Sequence, residues 1–583
     1  MNILALQTGR YEHFGAAVQE AVARYPQAQV TALIKPGDLE RARDSGLFSA
    51  FLLLQNDGPL QTLYARGATS FDYCLVPFED RFGIQYWTFR SIPIRLRIRH
   101  IASYNRLRRF KETRLALWIA ESLFVNTVTR AAFVGICLCR RVWWRLRRNV
   151  SVAGLFVLAA VALLFRGLAS LDLHPVKWSV EKRLPVGRRR VVLHIPSLGL
   201  GGAQRQLAIF LERIDRSQWD VEVVTADAVD KFFEPTIRDL NVPVYYLNPH
   251  YQLYEVGLVW QLVRYLYRNP CHVLHSWLHF SVATGAIAGT LVGISRIIGS
   301  IRSERPARFP WFYPAWQRAI DIMTAPMQTL VIANANAVRR ENHGWALLPD
   351  RKMVTIYNGI DLQRIQPLLS EQEQRLRTEF DFPQGTPVIG IVGRLHLEKD
   401  HMTFLRAARL VSDEMPTAAF VIVGGGPLHD AISAEIAALG LEGRVIMTGE
   451  RRDVLALIQL MDVLVLTSIT EGLPNVLLEA AASGVPIVTS AAGGASEVVV
   501  DGETGFVVPC RDSRSVADRV LELIRERSLR RKFIDAARRR VHAMFTADRF
   551  AAAVQACYME QQGSVCPHET AREITRVAGR ADT

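Results

Sequence analysis

Two glutamates eight positions apart, Glu471 and Glu479, lie in the segment Thr467-Ser468-Ile469-Thr470-Glu471-Gly472-Leu473-Pro474-Asn475-Val476-Leu477-Leu478-Glu479-Ala480. Pro474 and Asn475 suit the start of a helix. At helical pitch Glu479 then falls just over one turn into that helix, with Glu471 in the loop ahead of it. One acid is placed to meet a sugar hydroxyl and the other a ribose. Between them the free N–H groups of Gly472, Leu473, Asn475 and the helix start are suited to a phosphate.

Earlier in the chain, Gly393-Arg394-Leu395-His396-Leu397-Glu398-Lys399-Asp400 follows an apolar run. A fork-shaped guanidinium and a mobile ammonium therefore stand beside a turn where backbone can approach phosphate. Gly424-Gly425-Gly426-Pro427 is another glycine turn, and Gly199-Leu200-Gly201-Gly202 a third. The last is not a dinucleotide fingerprint, which needs glycine at 204, where this chain has Gln204. Taken singly these features are weak. A lone Arg394 or Lys399 is more often a solvated surface charge, a glutamate pair an exposed helix face, and a glycine triplet a tight turn. Their order outweighs this: each sits at the carboxyl end of a predicted strand, the edge at which open α/β sheets bind ligands.

The elements that position them form two α/β sets. The first has strands at Val191–Ile195, Val221–Val224, Val244–Leu247, Val273–Leu274, Ile297–Ser300 and Leu330–Ala333. The second has Val388–Val392, Ala419–Val423, Val445–Thr448, Val463–Leu466 and Ile487–Thr489. Short apolar runs alternating with helical patterns predict parallel sheets. The expected organisation is a small α/β domain over 1–88, a basic helical membrane-associated region over 89–185, and a first catalytic domain over 186–365. A polar linker over 366–386, a second catalytic domain over 387–560 and a disordered tail over 561–583 complete it. The last helix of the second domain is placed to cross back to the first.

With these residues in place the chain closely resembles the family 4 retaining glycosyltransferases of the GT-B fold, whose E-x7-E signature matches Glu471 to Glu479. Supporting matches are Gly201-Gly202-Ala203-Gln204-Arg205-Gln206, Tyr357-Asn358-Gly359-Ile360-Asp361, Gly393-Arg394 with Lys399, Gly449 with Asp453, and Gly493-Gly494 through Glu497 and Gly505-Phe506. They come in the family's order over about 190 to 550. The resemblance implies two Rossmann-like domains facing one another across a cleft. It also implies that Arg394 and Lys399 neutralise the diphosphate of a nucleoside diphosphate sugar, that Glu479 binds the ribose, and that Glu471 binds hydroxyls of the transferred sugar. Backbone of Gly472 to Asn475 would hold sugar and phosphate, with Gly425 and Asp453 also on the substrate side. Gly201 and Gly202 would close over the diphosphate from the other domain. The family's histidine near the donor sugar aligns loosely with Val273-Leu274-His275-Ser276-Trp277-Leu278-His279-Phe280. His279 is the first candidate and His275 the second, with a satisfied structural histidine an open alternative for both. No cofactor beyond the donor is implied, and the lack of a DxD pattern in a suitable loop points to metal independence.

Charge and hydropathy add a membrane. Between Thr88 and Val150 fifteen Lys or Arg face two acids, Glu112 and Glu121, a net +13 of the chain's +14. Arg140-Arg141-Val142-Trp143-Trp144-Arg145-Leu146-Arg147-Arg148 lies between two apolar runs, Leu115–Cys139 and Val150–Phe165. Mixed aromatic and basic residues of this kind suit anionic lipid headgroups better than nucleic acid. Basic flanks on both sides of each run favour a re-entrant or in-plane hairpin on the cytoplasmic leaflet of the inner membrane over a single crossing. Two crossings and a merely buried helical pair are the alternatives. The seven cysteines (74, 137, 139, 271, 510, 557 and 566) have no CxxC spacing and suggest neither a disulfide framework nor a zinc site. No signal peptide is read at the N-terminus.

The sequence therefore points to transfer of a sugar to a lipid-linked or growing glycan acceptor at the cytoplasmic membrane face. A catalytically idle glycan-binding or synthase scaffold is the alternative. A dinucleotide oxidoreductase is disfavoured by Gln204.

Overall fold

In a computed structural model of the chain, the described residues are six short strands within 2–114, with Val18 and Ala23, and residues 152–559 apart from 171–173, 175, 227–230, 248–255 and 305–314. They divide into two compact units, Met1–Arg147 and Arg148–Thr583.

The first unit contains β1 (Asn2–Leu6), β2 (Gln29–Ile34), β3 (Ala50–Leu53), β4 (Tyr73–Phe78), β5 (His100–Asn105) and β6 (Phe110–Arg114) in the order β3-β2-β1-β4-β5-β6. All neighbours pair in parallel except β5 with β6. The expected boundary at residue 88 is thus corrected, because β5 and β6 extend this sheet into the stretch read as a basic helical region. Part of that basicity belongs to a hairpin whose last strand, Phe110-Lys111-Glu112-Thr113-Arg114, ends the sheet. Charged residues on an edge strand discourage further strand addition.

The larger unit holds two sheets. The first is seven-stranded, with β7 (Arg189–Ile195), β8 (Trp219–Thr225), β9 (Val244–Tyr246), β10 (Val273–Trp277), β11 (Arg296–Ile301), β12 (Leu330–Ala333) and β13 (Met353–Thr355) in the order β13-β12-β11-β10-β7-β8-β9. The second has β14 (Val388–Val392), β15 (Ala419–Val423), β16 (Val445–Gly449), β17 (Val463–Leu466), β18 (Ile487–Ser490) and β19 (Phe506–Val508) in the order β16-β15-β14-β17-β18-β19. Each is parallel and doubly wound, with its order reversing beside its first strand. β7 and β14 therefore flank the switch points at which such sheets take ligands. Continuous apolar strands such as Val388-Ile389-Gly390-Ile391-Val392 are buried on both faces, as parallel strands must be.

One core runs beneath both halves, joining Val331, Ala333 and Met353 of the first sheet to Val421, Leu464 and Ile487 of the second through Phe545. The final helix, Ala547–Met559, returns to the first sheet, where Phe550 and Tyr558 meet Phe210 edge-on. The stretch 366–386, expected as linker, contains the helix Ser370–Glu379, whose Leu376 is buried in that shared core.

Of the expected membrane hairpin, Val152–Ser170 is one helix of 19 residues, long and apolar enough to cross a membrane. Its Leu155, Ala159 and Ala162, spaced one turn apart, are buried with Leu258, Leu262 and Ile320 of the first-sheet domain. Val157 and Leu164 are 61% and 62% exposed. One face is therefore committed to protein and the other is not. The apolar run 115–139, the basic block 140–148 and the tail 561–583 lie outside the described residues.

Candidate functional site

The second sheet builds its edge from two loops. After β14 the chain passes Gly393 and Arg394 into a short turn, Leu397–Lys399. Asp400, at φ +47°, then reverses it, and its carboxylate accepts from Thr403 Oγ1 at 2.7 Å to start the helix His401–Glu414. After β17 the glutamate loop leads into the helix Asn475–Ser483. The two loops are joined by backbone and side chain. Ile469 N donates to Glu398 O at 2.9 Å, and Thr467 Oγ1 donates to the carbonyl of Asp400 at 2.9 Å.

This stitching places Lys399 Nζ 2.5 Å from Glu471 Oε1, both side chains largely buried, with Ser468 Oγ donating to the same oxygen at 2.7 Å. Gly393 lies behind the Lys399 stem, so that an added Cβ would be 3.5 Å from Lys399 Cδ. Arg394 is placed otherwise: its guanidinium is exposed and binds Glu398 at 2.7 Å. Gly425 accepts from Leu395 N at 2.9 Å and helps to fold the turn, while flanking Gly424 and Gly426 hold φ of +140° and +154°. A Cβ on Gly424 would lie 2.1 Å from Gly393 O, so this triplet must be free of side chains for the two turns to meet.

The glutamate loop also touches the first sheet. An added Cβ on Gly472 would strike Arg302 O at 2.2 Å. Leu473 is buried and its carbonyl accepts from Asn358 Nδ2 at 2.9 Å. Pro474 is extended at the helix start and directs Asn475 across the divide. Asn475 Oδ1 accepts from Asn358 Nδ2 at 2.8 Å and from Gln206 Nε2 at 3.2 Å, and Asn475 Nδ2 donates to Gly202 O at 3.1 Å. Gly201 is the extended residue that precedes the helix Gly202–Arg213. Glu479, buried just over one turn into its helix, is ion-paired with Arg205 of that same first-sheet helix. Burial pushes the Glu479 carboxyl up, and the Arg205 guanidinium opposes the shift.

The structure thus brings Lys399, Glu471, Gly472, Leu473, Pro474 and Asn475 together and seats Asn475 on Gly202. Arg394 and Glu479 face their own partners. Asp453 is held by Arg451 at 2.8 Å, and this hydrogen bonding keeps its carboxyl below the usual range.

His275 changes role. It is buried in β10, with Nδ1 2.7 Å from Tyr558 OH and Nε2 2.8 Å from Ser300 Oγ. Burial holds it well below the ordinary imidazole pKa, and both nitrogens are committed within the protein. His279 stands at the edge instead, the first residue of the helix His279–Val292, with Nε2 3.2 Å from Ser303 Oγ. Leu278 before it has φ +71°, a strained setting for a residue with a side chain. His279 also lines a cleft with Phe280, Thr284, Trp316 and Asp321, bordered by Leu155 of the apolar helix.

Two residues of the site, Arg302 and Glu304, carry no signal in the sequence. Arg302 is buried, stacks 4.1 Å from the Trp277 ring centroid and donates to Asn358 Oδ1 at 2.7 Å. Burial lowers its guanidinium to about 9. Glu304 accepts from Thr470 Oγ1 at 3.2 Å, and burial raises its carboxyl, with Glu471 adding to the rise. Glu497 caps the helix Asn336–Ala346 from the other sheet, accepting from the N–H of Asn336 and Ala337 at 2.8 Å each. Arg205 and Asn358 do stand within recognised motifs, but spacing alone does not reveal their partners.

Against known proteins, residues 200–364 match the family described as Glycosyltransferase Family 4, and residues 372–540 match Glycosyl transferases group 1. The Vi polysaccharide biosynthesis protein VipC/TviE of Salmonella typhi is 27% identical over 372 residues, 56% of this chain and 64% of that protein. This chain therefore spans less than two thirds of that relative's length. A UDP-Gal:alpha-D-GlcNAc-diphosphoundecaprenol alpha-1,3-galactosyltransferase of Escherichia coli is 23% identical over 340 residues, 57% of this chain and 86% of that protein. The solved structure of Anabaena HepE in complex with UDP and glucose matches with a TM-score of 0.56 at 21% identity, covering 63% of this chain and 98% of that one. The two facing sheets are thus the GT-B arrangement.

Proposed function

Because the chain belongs to the family 4 glycosyltransferases of the GT-B fold, we propose that it is a retaining enzyme that moves a sugar from a nucleoside diphosphate sugar to a lipid-linked or growing polysaccharide acceptor. The observation that carries this reading is the buried Lys399–Glu471 pair at the carboxyl edge of the second sheet, beside a helix start seated on Gly202. A cation, an acid and free N–H groups there suit a diphosphate and the sugar it carries. The C1–O bond breaks with its electron pair passing to the diphosphate oxygen, and the acceptor hydroxyl forms the new bond on the same face, its proton passing to the departing diphosphate oxygen. Lys399, the nearby Arg394 and the start of the helix Asn475–Ser483 stabilise the negative charge that develops. Glu471 accepts from sugar hydroxyls and Glu479 from the ribose. We propose further that no metal is required.

The acceptor reading draws on the Escherichia coli relative, whose name specifies a diphosphoundecaprenol acceptor. It also draws on the open face of Val152–Ser170 and on the basic, Trp-containing block 140–148, suited to anionic headgroups at the cytoplasmic face of the inner membrane. Two experiments test the proposal. Thermal shift with UDP-, GDP- and ADP-sugars should stabilise the protein with one base, and transfer of labelled sugar to a membrane lipid extract should persist in EDTA. Absence of both stabilisation and transfer with every donor would leave the idle scaffold. For the membrane hold, Val157→Glu with Leu164→Glu changes only the open face of the helix. Full retention in the membrane fraction would remove that helix from the argument.

A further inference from the structure

We propose that Arg205 is a third cation for the donor diphosphate, supplied from the first-sheet wall and exchanging its Glu479 partner for phosphate when the donor binds. The proposal rests on the nucleoside diphosphate sugar reading above. Arg205 lies in the first turn of the helix Gly202–Arg213, three residues after Gly202, so its side chain leaves the same turn that faces Asn475. Its guanidinium crosses to Glu479, on the helix of the opposing sheet. The two partners differ in exposure. The Glu479 side chain is 6% exposed, whereas that of Arg205 is 41% exposed and reaches solvent.

Three cations around the site each rest on a carboxylate: Arg394 on Glu398, Lys399 on Glu471 and Arg205 on Glu479. A nucleoside diphosphate sugar offers each set what it needs. Ribose and sugar hydroxyls donate to carboxylates, and the phosphates accept from cations. When a ribose diol takes Glu479, that buried carboxylate stays hydrogen-bonded without its guanidinium. Arg205 is then released beside Gly201 and Gly202, at a helix start that itself favours anions. Donor binding is on this account an exchange of partners across the divide. An arginine is suited to it, because its planar fork grips carboxylate and phosphate with the same geometry. Bond cleavage adds charge to the departing diphosphate, so a cation on the second wall serves the leaving group as well as the substrate.

The test compares nucleoside diphosphate with nucleoside, using UDP and uridine, or the pair of whichever base the wild type binds. In Arg205→Gln the preference for diphosphate over nucleoside should fall about tenfold to a hundredfold, the loss of one charge-assisted phosphate contact. Arg205→Lys should recover part of it. A purely structural latch gives another pattern, in which Arg205→Gln shifts diphosphate and nucleoside by the same factor or neither. That result overturns the proposal. Arg205→Gln leaves Glu479 buried without its partner, so the double variant Arg205→Gln/Glu479→Gln is measured beside Glu479→Gln alone. The proposal expects the double variant to show the same selective loss of diphosphate affinity. If the wild type binds no nucleoside diphosphate at all, the glycosyltransferase reading fails first and this inference falls with it.

Discussion

At the edge of the second sheet Lys399, Arg394 and Glu471 each have a partner of opposite sign. The edge of the first sheet sends Arg205 across to Glu479 and otherwise offers uncharged His275, the raised carboxyl of Glu304 and a buried guanidinium, Arg302, with no carboxylate partner among the described residues. The contrast matches two tasks of the proposed transfer. A diphosphate is bound and released through charge, and pairing the cations within the protein offsets the cost of holding them in a partly buried site. A wall that receives hydroxyl-bearing sugars needs shape and neutral hydrogen-bonding groups, with His279 at its rim and an apolar helix behind it. Asn475 joins the two walls, taking hydrogen bonds from Asn358 and Gln206 and giving one to Gly202.

The strongest way to break this comparison is Lys399→Ala. Losing a preorganised cation at the leaving group should lower kcat about a hundredfold to a thousandfold. The unpaired Glu471 also lowers stability, so the thermal midpoint is read beside turnover, and Lys399→Ala/Glu471→Gln restores charge balance. If the double variant recovers both stability and turnover, Lys399 served only to neutralise Glu471. Asn475→Ala comes next. It removes three hydrogen bonds between the walls and should cost about 2 kcal/mol in denaturant unfolding, at a net of roughly 0.5–1.5 kcal/mol for each bond. An unchanged midpoint with unchanged donor affinity would mean that the walls are held by the shared core alone.

The fold and the charged wall were largely legible, for a physical reason. Strands buried on both faces must be continuous apolar runs, so Val388–Val392 or Ala419–Val423 announce themselves. Met353–Thr355 and Phe506–Val508 escaped because three residues at a sheet edge carry almost no periodicity. The basic stretch after residue 88 misled because charge on an edge hairpin and charge at a lipid surface look alike in composition. Within the site, Lys399 and Glu471 were legible because each follows a strand of the same sheet. Arg205 with Glu479, and Arg302 with Asn358, join the site by packing between distant segments, which no local pattern encodes.

Two smaller tests address the neutral wall. Arg302→Met replaces a buried cation by an apolar chain of similar length. The guanidinium is lowered to about 9 in the fold, well below its ordinary value, so the folded state binds its proton less readily than the unfolded chain. Its protonation therefore penalises folding below about pH 9, and the penalty is relieved as pH rises from there toward the ordinary guanidinium range. At pH 7 the methionine variant loses the Asn358 bond and the stacking on Trp277 but also this penalty, and a net change within about 1 kcal/mol follows. Donor affinity should nonetheless fall, because Asn358 loses the group that aims it at Leu473 and Asn475. A loss of several kcal/mol at pH 7 with unchanged donor affinity would make Arg302 a structural cation instead.

Glu304→Gln should have the smallest effect, and its sign is fixed. The Glu304 carboxyl is raised in the fold, so the folded state binds its proton more readily than the unfolded chain does. The wild type therefore loses stability as pH rises above the ordinary glutamate range, while the glutamine variant does not. The variant should be equal or slightly less stable near pH 4 and more stable by under about 1 kcal/mol at pH 7, as expected for a partly buried acid beside a second one. A variant that is less stable at pH 7 would mean that the Glu304 charge supports the Glu471 loop, and the first wall would then share the electrostatics of the second.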